Sequence, residues 1–80
     1  MPEQTPSQPH QGTHHFILTV QKPLPGGAGY AVADWSGWIT PDQTWTRNDV
    51  FLWLKAEQAR RKPELADGCV LFFALERNQL

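Results

Sequence analysis

Alternating apolar and polar residues predict two β-strands in the first half of the chain. In residues 14–21, Phe16, Leu18 and Val20 alternate with His15, Ile17, Thr19 and Gln21, and β-branched residues recur. Prolines and glycines dominate residues 22–29, which is typical of a loop. A second strand is predicted over residues 30–40, where Gly37 is a candidate bulge. Residues 41–45 form a turn in this interpretation.

A helix is predicted to follow this turn. Thr46 suits the N-cap position and Asp49 lies three residues later, so the two residues resemble a capping box. Val50, Phe51 and Leu54 recur at helical spacing and define one apolar face. Pro63 cannot continue a helix, so the helix is expected to end just before it.

The last strand is predicted from seven consecutive apolar residues, Cys69 to Leu75. The run is far shorter than the about 20 residues that a membrane-spanning helix needs. It fits a strand that is buried on both faces. Simple alternation places Cys69, Leu71, Phe73 and Leu75 on one face, and Val70, Phe72 and Ala74 on the other.

These elements predict a small α+β domain with the order ββαβ, in which one helix covers one face of a three-stranded sheet. The domain is expected over residues 14–80, after a disordered arm at residues 1–13 that is rich in proline and polar residues. The strand order stays open between 2-1-3 with antiparallel neighbours and 1-2-3 with one parallel pair.

A single helix would leave the other sheet face uncovered, which predicts an interaction surface. A large exposed apolar patch is unusual on a soluble monomer, so we expect a homodimer or another protein partner there. Trp35 and Trp38 have opposite orientations, so only one of them can contribute. The alternative is that the arm or the glycine-rich loop covers this face. The predicted partner-binding residues are Val70, Phe72, Ala74, Trp35, Trp38, Leu52 and Trp53.

Composition narrows the possible partners. The chain has 80 residues and a net charge of −1, which disfavours nucleic-acid binding and attachment to a membrane surface. One cysteine and no apolar leader segment favour a cytoplasmic protein. The alternatives are a small regulator or inhibitor of a larger enzyme, and a nucleic-acid-binding accessory protein that uses Trp53 with the basic residues Arg47, Lys55, Arg60, Arg61 and Lys62.

No catalytic constellation is recognisable in the sequence. Cys69 lies within the apolar run and is expected to be a core thiol. His10, His14 and His15 could bind a metal only adventitiously, because two are adjacent on a strand and one lies in the arm. The glycines at 26, 27 and 29 lack the strand-to-helix context of a phosphate-binding loop. We therefore expect no enzyme activity, no cofactor and no metal, and the sequence identifies no small-molecule substrate.

Four segments give the chain a resemblance to a known group. They are Thr13–Thr19, Trp35–Pro41, Thr46–Phe51 and Val70–Leu80. Together they resemble a group of short actinobacterial proteins, of the kind abundant in Streptomyces, that end in a similar Phe-Phe-Ala-Leu-Glu segment. The resemblance covers residues 13–80 and implies a cytoplasmic actinobacterial setting, without an activity, a cofactor or a catalytic residue.

Overall fold

The computed structural model describes residues 11–80. Two short 3₁₀ turns, Pro25–Gly27 and Pro63–Leu65, connect the main elements. The main elements are β1 (His14–Pro23), β2 (Tyr30–Ile39), α1 (Arg47–Arg61) and β3 (Cys69–Arg77). The predicted α+β class, with three strands and one helix, is confirmed.

The strands form one sheet in the order β2-β1-β3, with β1 antiparallel to both neighbours. The first of the two strand orders that the sequence left open is therefore the one observed. Because β1 is the central strand, both β2 and β3 are edge strands within residues 11–80.

The core lies between β1 and α1. Phe16, Leu18 and Val20 are buried on one face of β1, and Val50 and Leu54 of α1 pack against them. Full burial of such side chains stabilises the fold by about 1.5–3 kcal/mol each. The alternation predicted for β1 and the apolar face predicted for the helix are both confirmed.

The helix begins at the predicted capping box. The backbone N–H of Asp49 donates to Thr46 Oγ1 at 3.1 Å, and the Thr46 N–H donates to Asp49 Oδ2 at 2.9 Å. These bonds satisfy N–H groups that have no partner inside the helix. At the other end, the Lys62 N–H donates to the Gln58 carbonyl, and Pro63 opens a 3₁₀ turn. The predicted helix end is thus confirmed.

A β-bulge lies in β3 and not at Gly37. The register of β1 with β2 is continuous past Gly37, which pairs with Phe16. Between β1 and β3, Thr19 pairs with Phe72 but Val20 pairs with Val70. Leu71 is therefore an extra residue, and it shifts the alternation of β3 by one position.

The folded unit begins before the predicted boundary at residue 14. The Asn78 N–H donates to the Thr13 carbonyl at 2.8 Å, and the Thr13 N–H donates to Thr40 Oγ1 at 3.2 Å. The Asn78 side chain donates to Gln11 Oε1 and to the Gly12 carbonyl. Residues 11–13 thus belong to the domain, and the rest of the predicted arm lies outside the described residues. In residues 11–80, no helix is long and apolar enough to cross a membrane.

Candidate protein interface

The sheet has one face that α1 does not cover, which we call the open face. It is the side opposite Phe16, Leu18 and Val20, because neighbouring residues of a strand point to opposite sides. The register of the strands places the following residues on it: His15, Ile17, Thr19 and Gln21 of β1; Tyr30, Val32, Asp34, Ser36 and Trp38 of β2; Cys69, Phe72, Ala74 and Glu76 of β3.

All three strands contribute apolar side chains to the open face. Val32 is 57% exposed, Phe72 52% and Trp38 45%. Ile17 and Ala74 pair across β1 and β3 near the middle of the face, and each is partly exposed. Burying such side chains would stabilise a complex by removing apolar surface from water.

Two residues of the open face, Asp34 and Glu76, carry carboxylates. The Thr19 hydroxyl donates to Asp34 Oδ1 at 2.7 Å, which orients one carboxylate beside the central strand. Glu76 pairs in register with His15. The chain has seven lysine and arginine residues, and none is among the residues that the register assigns to this face. The open face therefore combines apolar area with two carboxylates.

Two of the predicted interface residues lie on the covered side of the sheet. Val70 packs against the core cluster, so its predicted place on the open face is wrong. The bulge is the reason, since the extra Leu71 moves Val70 into phase with Phe73 and Leu75. Trp35 also faces α1, where its ring meets Phe16 edge to face with centroids 4.9 Å apart. Trp38 is the strand-two tryptophan on the open face.

The two predicted helix residues form a separate exposed surface. Leu52 is 55% exposed on α1, and Trp53 is exposed beside it. The Trp53 ring contacts Trp45 with centroids 6.3 Å apart, and Trp45 is itself exposed. Since α1 and the open face lie on opposite sides of the sheet, these residues cannot join Phe72 and Ala74 in one flat contact.

The basic residues proposed for nucleic-acid binding do not converge. Arg60 and Arg61 both donate to the Glu57 carboxylate, and Arg61 also lies over the Trp35 ring at 4.9 Å. Hydrogen bonding from Arg60, with a smaller contribution from Arg61, lowers the pKa of Glu57. Arg47 and Lys55 instead lie over Phe73 and Phe51. Lys62, the helix C-cap, is exposed and has no ion pair within residues 11–80.

A groove with a volume of about 640 Å³ lies where α1 begins. His14, Arg47 and Arg77 contribute cationic or titratable groups to its lining, and Asp42 contributes a carboxylate. The hydroxyl and the backbone N–H of Thr44 both donate to Asp42, and they lower the pKa of this carboxyl group. The lining of this groove thus carries mixed charge.

The expectation that Cys69 is a core thiol is wrong. Its side chain is exposed at the start of β3, where it pairs in register with Gln21 on the open face. His14 and His15 are described and His10 is not. Within residues 11–80, no group of three or more His, Cys, Asp or Glu side chains is placed to hold a metal ion.

Sequence reasoning missed a second apolar feature, a groove between α1 and β3. It has a volume of about 460 Å³ and is lined by Arg47, Asn48, Phe51 and Phe73. We call it the Phe groove. The apolar spacing of α1 and β3 could have indicated that Phe51 and Phe73 share one side, but only with the correct strand order and the bulge in place.

Comparison of the chain with protein-family models, with curated proteins and with solved structures gave no match. The resemblance to short actinobacterial proteins therefore stays a prediction.

Proposed function

We propose that this chain is a non-catalytic protein-interaction module that binds a second copy of itself or another protein through the open face. A cytoplasmic location, the default for a chain with one cysteine, is part of the proposal. Binding through the open face is supported by the exposed apolar area to which all three strands contribute, above all Val32 and Phe72.

Chain length strengthens this argument. A domain of about 60–80 residues buries a smaller fraction of its surface than a larger one and gains stability from association. Helix α1 already packs against the other side of the sheet. Face-to-face packing of two sheets, about 10 Å apart, would bury the open face in a core of the sandwich type.

The interface in this proposal consists of Phe72, Ala74 and Trp38 from the predicted set, joined by Ile17 and Val32. Trp35 and Val70 support it from beneath the sheet. Leu52 and Trp53 belong to a second surface on α1, where a further partner would bind.

Solution mass tests the proposal, measured by light scattering on a sizing column over a dilution series. We expect a dimer that dissociates only on dilution, and a dissociation constant raised at least about tenfold in Val32→Asp and in Phe72→Asp, since each buries a charge in an apolar contact. Leu52→Asp is the matched control, because it makes the same kind of change on the helix at a similar exposure (55% against 52% for Phe72).

The control also separates the two surfaces. If Leu52→Asp dissociates the chain and Val32→Asp does not, the interface is on α1 and the open-face proposal is wrong. If the unaltered chain is a monomer at every concentration, the second copy is excluded. The proposal would then require a different protein as the partner. That protein should bind the Leu52→Asp chain as tightly as the unaltered chain, and the Val32→Asp chain more weakly.

A nucleic-acid-binding function is the second candidate. Five of the seven lysine and arginine residues lie on α1 or at its C-cap: Arg47, Lys55, Arg60, Arg61 and Lys62. This candidate predicts binding of single-stranded DNA that weakens steeply with salt. Absence of binding at low salt would exclude it. A small regulator of a larger enzyme would use the open face, and the same variants would test it.

A further inference from the structure

The apolar strand β3 lies at an edge of the sheet. Its run from Cys69 to Leu75 contains no charge and no proline, which are two of the features that protect an edge strand from pairing. The bulge at Leu71, a third such feature, lies before the stretch from Phe73 to Arg77. Leu71 and Phe72 are both 52% exposed. The composition of β3 is therefore typical of a central strand, although within the described residues β3 has only one neighbouring strand, β1.

The hydrogen-bond pattern shows which backbone groups of β3 point away from β1. The Asn78 N–H donates to the Thr13 carbonyl, which fixes Asn78 as a residue that faces β1. Because antiparallel pairing alternates along a strand, Glu76 and Ala74 face β1 as well. The N–H and C=O groups of Phe73, Leu75 and Arg77 point outward, and no described element lies beyond them.

The Phe groove runs beside this edge on the helix side. The rings of Phe51 and Phe73 meet edge to face with centroids 5.0 Å apart. The Arg47 guanidinium lies 5.6 Å from the centroid of the Phe73 ring, and Lys55 Nζ lies 6.0 Å from that of Phe51. Within residues 11–80, neither cation forms an ion pair with a carboxylate. An edge strand, an apolar groove and two cations thus adjoin one another.

We propose that β3 accepts an extended acidic segment of a partner protein as a fourth strand. The main chain of this segment would bond to the outward groups of Phe73, Leu75 and Arg77, as in other cases of strand addition. An apolar side chain would enter the Phe groove, and carboxylates would lie beside Arg47 and Lys55. This edge is separate from the open face, so either proposal can fail without the other.

Charge distinguishes this partner from a second copy. Pairing of two β3 strands about a two-fold axis would place both helices on the same side of a six-stranded sheet. The flank of each helix that carries Arg47 and Lys55 would then face the same flank of the other copy. Like charges across an interface disfavour binding, whereas the carboxylates of an acidic partner segment would be attracted to Arg47 and Lys55.

The spacing of the two cations suggests the form of a probe peptide. Arg47 and Lys55 are eight residues apart on α1, which is about 12 Å along the helix axis. Residues four apart in a strand are about 13 Å apart and share one face. The probe is therefore the blocked heptapeptide Glu-Thr-Val-Thr-Glu-Thr-Val. The control is Lys-Thr-Val-Thr-Lys-Thr-Val, which has the same strand propensity and opposite charge.

The test uses the full chain labelled with ¹⁵N, titrated with each peptide and then transferred to D₂O. We expect the acidic peptide to slow amide exchange of Phe73, Leu75 and Arg77 by at least about tenfold, because these groups gain partners. Arg47→Gln and Lys55→Gln should each weaken binding by about two- to fivefold, the range of an exposed ion pair. Arg60→Gln, which alters a cation outside the groove, should leave binding unchanged.

Several results would overturn the proposal. The basic peptide could bind as tightly as the acidic one. Alternatively, the amide chemical-shift changes in the titration could occur at Ile17 and Val32 on the open face. The three outward amides could be protected without peptide in a concentration-dependent way, which would assign the edge to a second copy. If oligo-dT displaced the bound peptide, Arg47 and Lys55 would be interpreted as nucleic-acid-binding residues. The Val32→Asp chain should still bind the peptide. This variant therefore tests strand addition at β3 separately from association through the open face.

Discussion

The ring of Phe73 on β3 meets the ring of Phe51 on α1 edge to face, with centroids 5.0 Å apart. Phe72, the preceding residue, points to the other side of the sheet and is half exposed. Two identical side chains in successive positions thus have different surroundings. One helps to fix the helix on the sheet, and the other belongs to the proposed interface.

This contrast predicts different losses of stability. Phe73→Ala should lower the free energy of unfolding by about 2–3 kcal/mol, because it removes a packed ring and leaves a cavity under α1. Phe72→Ala should cost less than about 1 kcal/mol in the monomer, because a half-exposed side chain away from a packed site loses little on truncation. Urea unfolding at low protein concentration measures both values. Equal losses would contradict the assignment of the two faces.

The elements of the fold could be predicted from local patterns. The capping residues Thr46 and Asp49 act within one turn of chain, and the alternation in β1 depends only on which side α1 covers. Such local signals are visible in the sequence. The order of the strands is not, because it depends on contacts between residues far apart in the chain.

The candidate interface could be predicted only in part. Simple alternation along β3 assigned Phe72 and Ala74 to the open face, and the structure places them there. It failed for Val70, because one extra residue at Leu71 reverses the phase for every position before it. It also failed for Cys69, which is the first residue of an edge strand and is exposed although its neighbours in sequence are apolar.

Gly68, directly before β3, should tolerate no side chain. A Cβ atom at this position would overlap Val20 Cγ1 and would lie 3.1 Å from the carbonyl oxygens of Gln21 and Leu65. We expect Gly68→Ala to destabilise the fold by about 1–3 kcal/mol, as overpacking of a core does. Thermal unfolding followed by circular dichroism measures the effect.

Gly37 provides the matched control for this change. A Cβ atom there would be 3.4 Å from the nearest ring carbons of Phe16, an ordinary contact distance. Gly37→Ala should therefore be tolerated within about 1 kcal/mol, since it also reduces the freedom of the unfolded chain. If Gly37→Ala were as damaging as Gly68→Ala, crowding at Val20 would not be the cause.

The exposure of Cys69 predicts ready alkylation of the native chain. We expect iodoacetamide to modify Cys69 in the dilute, monomeric protein at a rate within about tenfold of that in urea, because the thiol is exposed in the folded chain. Mass spectrometry of quenched samples measures the rate. Protection by a much larger factor, lost on dilution, would show that the start of β3 is covered in a complex.

Glu57 should make stability depend on pH in the acid range. Hydrogen bonding from Arg60, and less strongly from Arg61, lowers its pKa below the ordinary value of 4.5. A carboxyl group with a lower pKa in the folded state stabilises the fold above its unfolded pKa, and this contribution disappears as pH falls through the folded pKa. The stability advantage of the native chain over Glu57→Gln should therefore be present near neutral pH and shrink below pH 4.5. Titration of the Glu57 carboxyl by NMR provides the control: Arg60→Gln should raise its pKa more than Arg61→Gln does. The opposite order would mean that Arg61, which also lies over Trp35, is the main partner of Glu57 in solution.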